Sequence, residues 1–252
     1  MKKKLRGFYL ILSSLLICFL HLPFAFGKRI DYPPEAYRYS VKITKTPEDS
    51  VAMISSFRSM YDSLHLGIAG LSKPAFELAQ KGFKKIWQKG LLQNDSVISI
   101  IDFSQSSDKK RLYVLDLKNY KVLYNTLVAH GRNTGKLWAQ AFSNRPSSLK
   151  SSIGFYVTGH PYDGSNGYSL KLEGLERGFN NNAERRGIVL HGAGYVCDSY
   201  INDQGFIGRS EGCPAVPREL ANDIINSIKD GSCLFIYHPS KLYRQRSVLA
   251  KG

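Results

Sequence analysis

From Val97 onward the apolar residues stop recurring at helical spacing and arrive in short β-branched and aromatic runs, and this change of period constrains the fold most. Val97 to Phe103 reads as a buried strand. Arg111 to Leu117 and Tyr120 to Val128 read as a hairpin turning across Lys118-Asn119, and Ile153 to Thr158 and Tyr168 to Leu172 as further strands. Gly159 to Gly167, rich in Gly, Pro, Asp and Asn, reads as a turn. Ile188 to Leu190 is a short strand running into His191-Gly192, and Cys233 to Tyr237 is a last strand. Leu220, Ala221, Ile224, Ile225 and Ile228 keep a helical period after Pro217, and Gly231 ends that helix.

Ahead of residue 96 the period is helical. Met53, Phe57, Met60, Tyr61 and Leu64 fall on one face. Ser72 is an N-cap, with Pro74 in the first turn of a helix to about Lys89. Phe76, Ala79, Phe83, Ile86 and Trp87 share one side of it, and Lys81, Lys84, Lys85 and Lys89 a basic, solvated other side. Residues 28 to about 50, with Pro33-Pro34 and Thr46-Pro47, read as an extended lead-in.

The first residues address the chain. Lys2, Lys3, Lys4 and Arg6 precede an apolar run from Phe8 to Leu20, then Pro23 and the small residues of Ala25-Phe26-Gly27. This is the pattern of a cleaved secretory signal over residues 1–27. The apolar core is shorter than the ~20 residues of a spanning helix, which favours cleavage over an uncleaved anchor. Ile17 before Cys18 argues against a lipoprotein site, and no second long apolar run supplies a stable membrane span. Cleavage removes four basic residues and no acidic one, taking the net charge from +15 to +11. In an exported chain such charge points to an anionic wall polymer, a membrane surface or a carboxylate-bearing substrate rather than to nucleic acid.

Three cysteines follow the signal: Cys197, Cys213 and Cys233. An odd number in an oxidising compartment leaves at least one thiol free or paired between chains. A Cys197–Cys233 bridge would leave Cys213. The stretch Gly208-Arg209-Ser210-Glu211-Gly212-Cys213-Pro214-Ala215-Val216-Pro217 puts that cysteine between a glycine and a proline, in an irregular backbone that exposes a side chain. A thiolate attacking a carbonyl needs N–H donors for the oxyanion and a base; His191, at a strand end, is placed to be that base. Glu211 opposes the thiolate. Three other readings stand beside this one: Cys213 as an inert core thiol, a zinc site from His191, Cys197, Cys213 and Cys233, which no Cys-x-x-Cys pair supports, and His130-Gly131 as an alternative base.

These residues resemble the L,D-transpeptidase catalytic domain of bacterial cell-wall enzymes, in the branch whose cysteine is followed by Pro-Ala. The resemblance runs from about Ile98 to Tyr243 and takes in Ile101-Asp102-Phe103, Arg111 to Val114, Val128 to Gly131, Phe142 to Asn144, Ser151 to Thr158 and Gly167 to Leu170. It implies a mainly β, sandwich-like catalytic domain over 96–243, preceded by an extended and helical segment over 28–95 and followed by a basic tail over 244–252, α+β overall. It implies Cys213 as nucleophile, His191 as base, the Gly192 carbonyl orienting the imidazole, and Ser210, Gly212 and the Cys213 N–H building the oxyanion loop. His130, Arg132, Arg209 and Tyr195 are substrate-binding candidates, as is Arg218 for a carboxylate. No metal or other cofactor is called for. The implied partners are peptidoglycan stem peptides in the periplasm or cell wall. The third, L-centred residue would be acylated onto Cys213 and passed to an amine, or to water in an L,D-carboxypeptidase. Carbapenem acylation is implied as well. A catalytically inert basic wall-binding protein is the reading from a different class. Two positions depart from the family pattern: Glu211, where histidine or a large aromatic is usual, and Ala215, where a basic or amide residue is usual.

Overall fold

The computed structural model describes residue 57 and residues 59–251. The signal segment, the extended lead-in and the start of the first helical face lie outside the described residues. A helical turn at 59–63 leads to helix α1 (Lys73–Gln88). Pro74 opens α1, and Ala75, Phe76, Ala79, Phe83, Ile86 and Trp87 bury the expected face. Ser72 sits at the N-cap without a side-chain cap; its N–H donates instead to buried Asp102 (3.0 Å). Lys81, Lys84 and Lys89 are exposed as expected, whereas Lys85 donates to the carbonyls of Val248 and Lys251.

The strands are β1 (Val97–Asp102), β2 (Leu112–Asp116), β3 (Lys121–Thr126), β4 (Gly154–Gly164), β5 (Gly167–Gly174), β6 (Val189–Ala193), β7 (Ala215–Pro217) and β8 (Cys233–Tyr237). They form an eight-stranded sheet in the order β3-β2-β1-β8-β4-β5-β6-β7. The mainly β fold with a helical lead-in is as expected. The hairpin β2–β3 turns where Lys118-Asn119 predicted, because the Asp116 carboxylate accepts the N–H groups of both residues. Gly159 to Gly167 differs from the expected turn: β4 continues to Gly164, and only Ser165 and Asn166 reverse the chain. An irregularity between Thr158 and Pro161 lets the proline sit in the pairing without its missing N–H being called on.

Helices α2 (Asp198–Gln204) and α4 (Lys241–Arg246) have no counterpart in the sequence reading; α3 (Arg218–Ile228) does. Residues 244–250, read as a basic tail, fold onto the domain. Tyr243 and Ser247 both donate hydroxyl hydrogen bonds to buried Glu176, and Leu249 and Ala250 are buried. The main core gathers α1, α3 and the inner strands, while Leu127, Ala129, Ala193, Val196, Ile207 and Ala215 form a second cluster. Among the described residues no helix is long and apolar enough to cross a membrane.

Candidate active site

Two strands that run parallel set the geometry. β6 pairs β7 with His191 beside Ala215. Cys213 lies two residues before Ala215, and its Sγ accepts from the N–H of Val189 (3.5 Å), two residues before His191. Backbone N–H groups point sideways from a strand, so the sulfur sits against the edge of β6 at Val189, two residues along the chain from His191. The sulfur also faces the carbonyl of Gly187 at 3.7 Å.

The imidazole is fixed through Nδ1, which lies 3.1 Å from the carbonyl oxygen of Gly192. A carbonyl only accepts, so Nδ1 carries the hydrogen and Nε2 keeps a free lone pair. Burial pushes the His191 pKa down, and the Gly192 contact offsets this in part. Burial pushes the Cys213 thiol up, with the Val189 N–H and Arg186 working against it and Glu211 adding to it. The resting pair is therefore neutral thiol and neutral imidazole.

The turn that carries the thiol is clamped on every side. Ser210 Oγ accepts from the N–H of Gly212 (3.1 Å) and donates to the carbonyl of Cys213 (2.6 Å). Gly212 has φ +130°, and a Cβ there would lie 2.9 Å from the Lys150 carbonyl oxygen, so glycine answers both the conformation and the close approach. The Gly212 N–H is thereby satisfied within the turn. Ser151, buried, accepts from Gly131 N–H and donates to the Gly212 carbonyl. Sequence reasoning had placed no role on Ser151, whose neighbours in space lie 20 and 61 positions away.

His130 is placed differently from the expectation of a substrate contact or base. It is fully buried, its Nδ1 takes a hydrogen bond from Arg111 (2.8 Å), and its Nε2 faces the Gly135 carbonyl (3.2 Å). Burial first, then Arg111, pushes its pKa down to about 3. It is a neutral structural imidazole. The backbone around it does reach the site: residues 129–132 run beside 210–215 through bridges Ala129–Ala215 and Gly131–Ser210.

Arg132 is exposed and ion-paired with Glu211 at 2.9 Å, so the charge that opposes the thiolate has a partner. Arg209 donates to the carbonyls of Arg132 and Gly135 and lies over Phe206. Ala215, the other departure, is fully buried in the small second cluster, where a long basic side chain has no room. Cys197 and Cys233, whose pairing the sequence left open, are both free: Cys233 is buried in β8, and Cys197 is the residue preceding α2. Among the described residues no three His, Cys, Asp or Glu side chains gather to hold a metal ion.

A cleft of about 500 Å³ opens beside this pair, lined by His191, Gly194, Tyr195, Tyr168, Asn222 and Arg218 among others. It reaches His191 but not Cys213. Arg186, also unforeseen, ends a 3-10 turn (Glu184–Arg186) and reaches under the nucleophile turn.

The family model of the L,D-transpeptidase catalytic domain matches residues 68–237. The chain belongs to the L,D-transpeptidase catalytic-domain family. No curated protein matches its sequence. Among solved structures, it is similar to an L,D-transpeptidase from Mycobacterium smegmatis (11% identity, 57% of this chain and 59% of that one, TM-score 0.36). It is similar also to L,D-transpeptidase 3 from Mycobacterium tuberculosis, solved with a faropenem-derived adduct (14% identity, 57% and 60%, TM-score 0.35). A third is an L,D-transpeptidase from Xylanimonas cellulosilytica (16% identity, 76% and 94%, TM-score 0.32). The chain thus spans about three fifths of the two mycobacterial structures. The matched residues 68–237 run from ahead of α1 to the last residue of β8, so the family model takes in α1 as well as the sheet.

Proposed function

We propose that this L,D-transpeptidase family member is an exported cysteine acyltransferase acting on peptidoglycan stem peptides. The observation that carries the reading is the tautomer imposed on His191: Nδ1–H is tied to the Gly192 carbonyl, which leaves Nε2 basic two residues along β6 from the N–H that holds Cys213 Sγ.

Nε2 takes the proton from Cys213 Sγ as the sulfur attacks the carbonyl of the L-centred third residue. The Cys213 N–H donates to the oxyanion of the tetrahedral intermediate. Collapse breaks the peptide bond, and the departing D-amino acid takes the proton from His191. The thioester then accepts an amine from a second stem. His191 receives the amine's proton and returns it to the sulfur as the cross-link is released. Arg218, exposed on the cleft wall with His191, supplies a guanidinium for a stem carboxylate, and Tyr195 lines the same wall.

The test is intact-mass spectrometry of the exported form after incubation with a carbapenem, and with a stem tetrapeptide with and without an amine acceptor. One covalent adduct is expected, absent in Cys213→Ala and slowed in His191→Ala by about 10²-fold or more. A cross-linked product that requires the acceptor marks transfer, whereas release of the D-residue without acceptor marks hydrolysis. An adduct that survives in Cys213→Ala would overturn the assignment.

A further inference from the structure

Arg186 is a half-buried guanidinium with an unusual set of partners. Nη1 donates to the Ser143 carbonyl (2.8 Å) and Ser152 Oγ (3.4 Å), and Nη2 to the Lys150 carbonyl (2.6 Å) and Ser148 Oγ (3.3 Å). Every one of these acceptors is neutral. Among the described residues no carboxylate pairs with it, although a partly desolvated cation ordinarily has one. The turn that presents the thiol passes directly over it: a Cβ on Gly212 would stand 3.2 Å from Nη2. Its neighbour Gly187 offers its carbonyl to Cys213 Sγ.

We propose that Arg186 is the counter-cation of the Cys213 thiolate, held under the Gly212–Cys213 turn by four neutral oxygens so that its charge is left for the sulfur. This rests on the reading of Cys213 as nucleophile. Neutral acceptors orient a guanidinium without cancelling its charge, whereas a carboxylate would cancel it. When the proton leaves Sγ for His191, negative charge forms beside a cation already in place. The same field favours the oxyanion, which forms on the atom bonded to the attacked carbon. The directions of titration agree: the Val189 N–H and then Arg186 lower the thiol against its burial, and Tyr156 and then Cys213 raise Arg186 against its own. The other charged or titratable groups around the sulfur are Glu211 on its own loop, Arg132 paired to Glu211, Lys150 on the facing loop, and His191 and Tyr195 on and beyond β6. Arg186 is a positioning and electrostatic residue; the bland alternative is a bolt that merely holds residues 143–152.

Iodoacetamide labelling rates, resolved by peptide mass, separate the two. Cys213 labelling in the full chain is followed against pH in wild type, Arg186→Gln and Arg186→Lys, with Cys197 as the internal control. The Cys213 midpoint is expected to rise by about one pH unit in Arg186→Gln, to stay near wild type in Arg186→Lys, and to leave Cys197 unmoved. A folded Arg186→Gln whose Cys213 midpoint is unchanged overturns the proposal. Should the Gln variant fail to fold, Arg186→Lys decides. A wild-type midpoint in a thermally weakened Lys variant supports a role for charge, and a rise of a full unit despite the retained charge overturns it. Carbapenem adduct formation is read separately. An adduct on Cys213 with an unmoved midpoint leaves the enzyme reading standing and removes this one. No adduct removes the enzyme reading while the titration still reports on the pair.

Discussion

At the scale of single residues, the two histidine–glycine pairs separate by environment rather than by sequence. His191 keeps one nitrogen free because the other is tied to a carbonyl, and His130 keeps neither. The depressed pKa of His191 has a kinetic consequence. In the mechanism proposed above the base must be neutral, so kcat/KM on a stem peptide is expected to rise as pH climbs through that pKa. The acid limb is expected below the ordinary imidazole value of 6.5, and a limb measured well above 6.5 would contradict the buried site. His130 has a thermodynamic one. Its folded pKa of about 3 lies below the ordinary 6.5, so the unfolded chain binds a proton that the folded chain does not between those values. The stability it contributes is whole above 6.5 and is lost as pH falls toward 3, with a slope of at most about 1.4 kcal/mol per pH unit. Urea unfolding of His130→Gln against wild type from pH 7 to pH 4 should show a flatter fall in the variant.

At the scale of elements, α1 is seated by an absence. Gly82 lies on its buried face, and a Cβ there would stand 1.9 Å from Cζ of Phe155, whose ring stacks on Phe235 at 4.1 Å. Glycine lets the helix approach β4 and β8 at ring-contact distance. Gly82→Ala brings two opposed effects. Helix propensity favours alanine by up to about 1 kcal/mol, whereas overpacking a filled core disfavours it by about 1–3 kcal/mol. The clash is with a ring already stacked on a second, so the second effect wins. Thermal or urea unfolding should show net destabilisation, and a stabilised Gly82→Ala would mean that α1 sits farther from the sheet. The turn residues behave in the opposite sense: Asp116 makes the β2–β3 reversal almost wholly local, which is why Lys118-Asn119 was readable in advance.

At the scale of the whole molecule, the last strand lies in the middle of the sheet. β8 pairs in parallel with β1 and antiparallel with β4, so the last strand of the sheet lies beside the first. All five β8 residues are buried, whereas β3 at one margin is largely exposed. At the other margin β7 is covered by residues 129–131, which also back the thiol turn. Native-state hydrogen exchange should therefore show β8 and β1 amides exchanging only through global unfolding and β3 amides through smaller openings. Edge-like exchange in β8 would overturn the strand order. Stability and the site are coupled here, since Leu190 of β6 and Val216 of β7 belong to the same core as the β8 residues.

The local patterns determined what is local. The switch of period near Val97, the α1 and α3 faces, the span of β8 and the thiol held between Gly212 and Pro214 are legible because each depends on neighbours a few residues apart. The pairing of His191 with Cys213 was legible as a motif, not as geometry. Tertiary structure alone decided that β4 runs on through Pro161, that residues 244–250 close over Glu176, that Cys197 and Cys233 stay apart and that His130 is sealed in the core. It also decided that Arg186 and Ser151 meet the Gly212 turn from 26 and 61 positions away. The physical reason is the same throughout. Burial, charge pairing and close backbone approach are properties of which surfaces meet, and in a sheet whose order is not its chain order those meetings are written in no single stretch of residues.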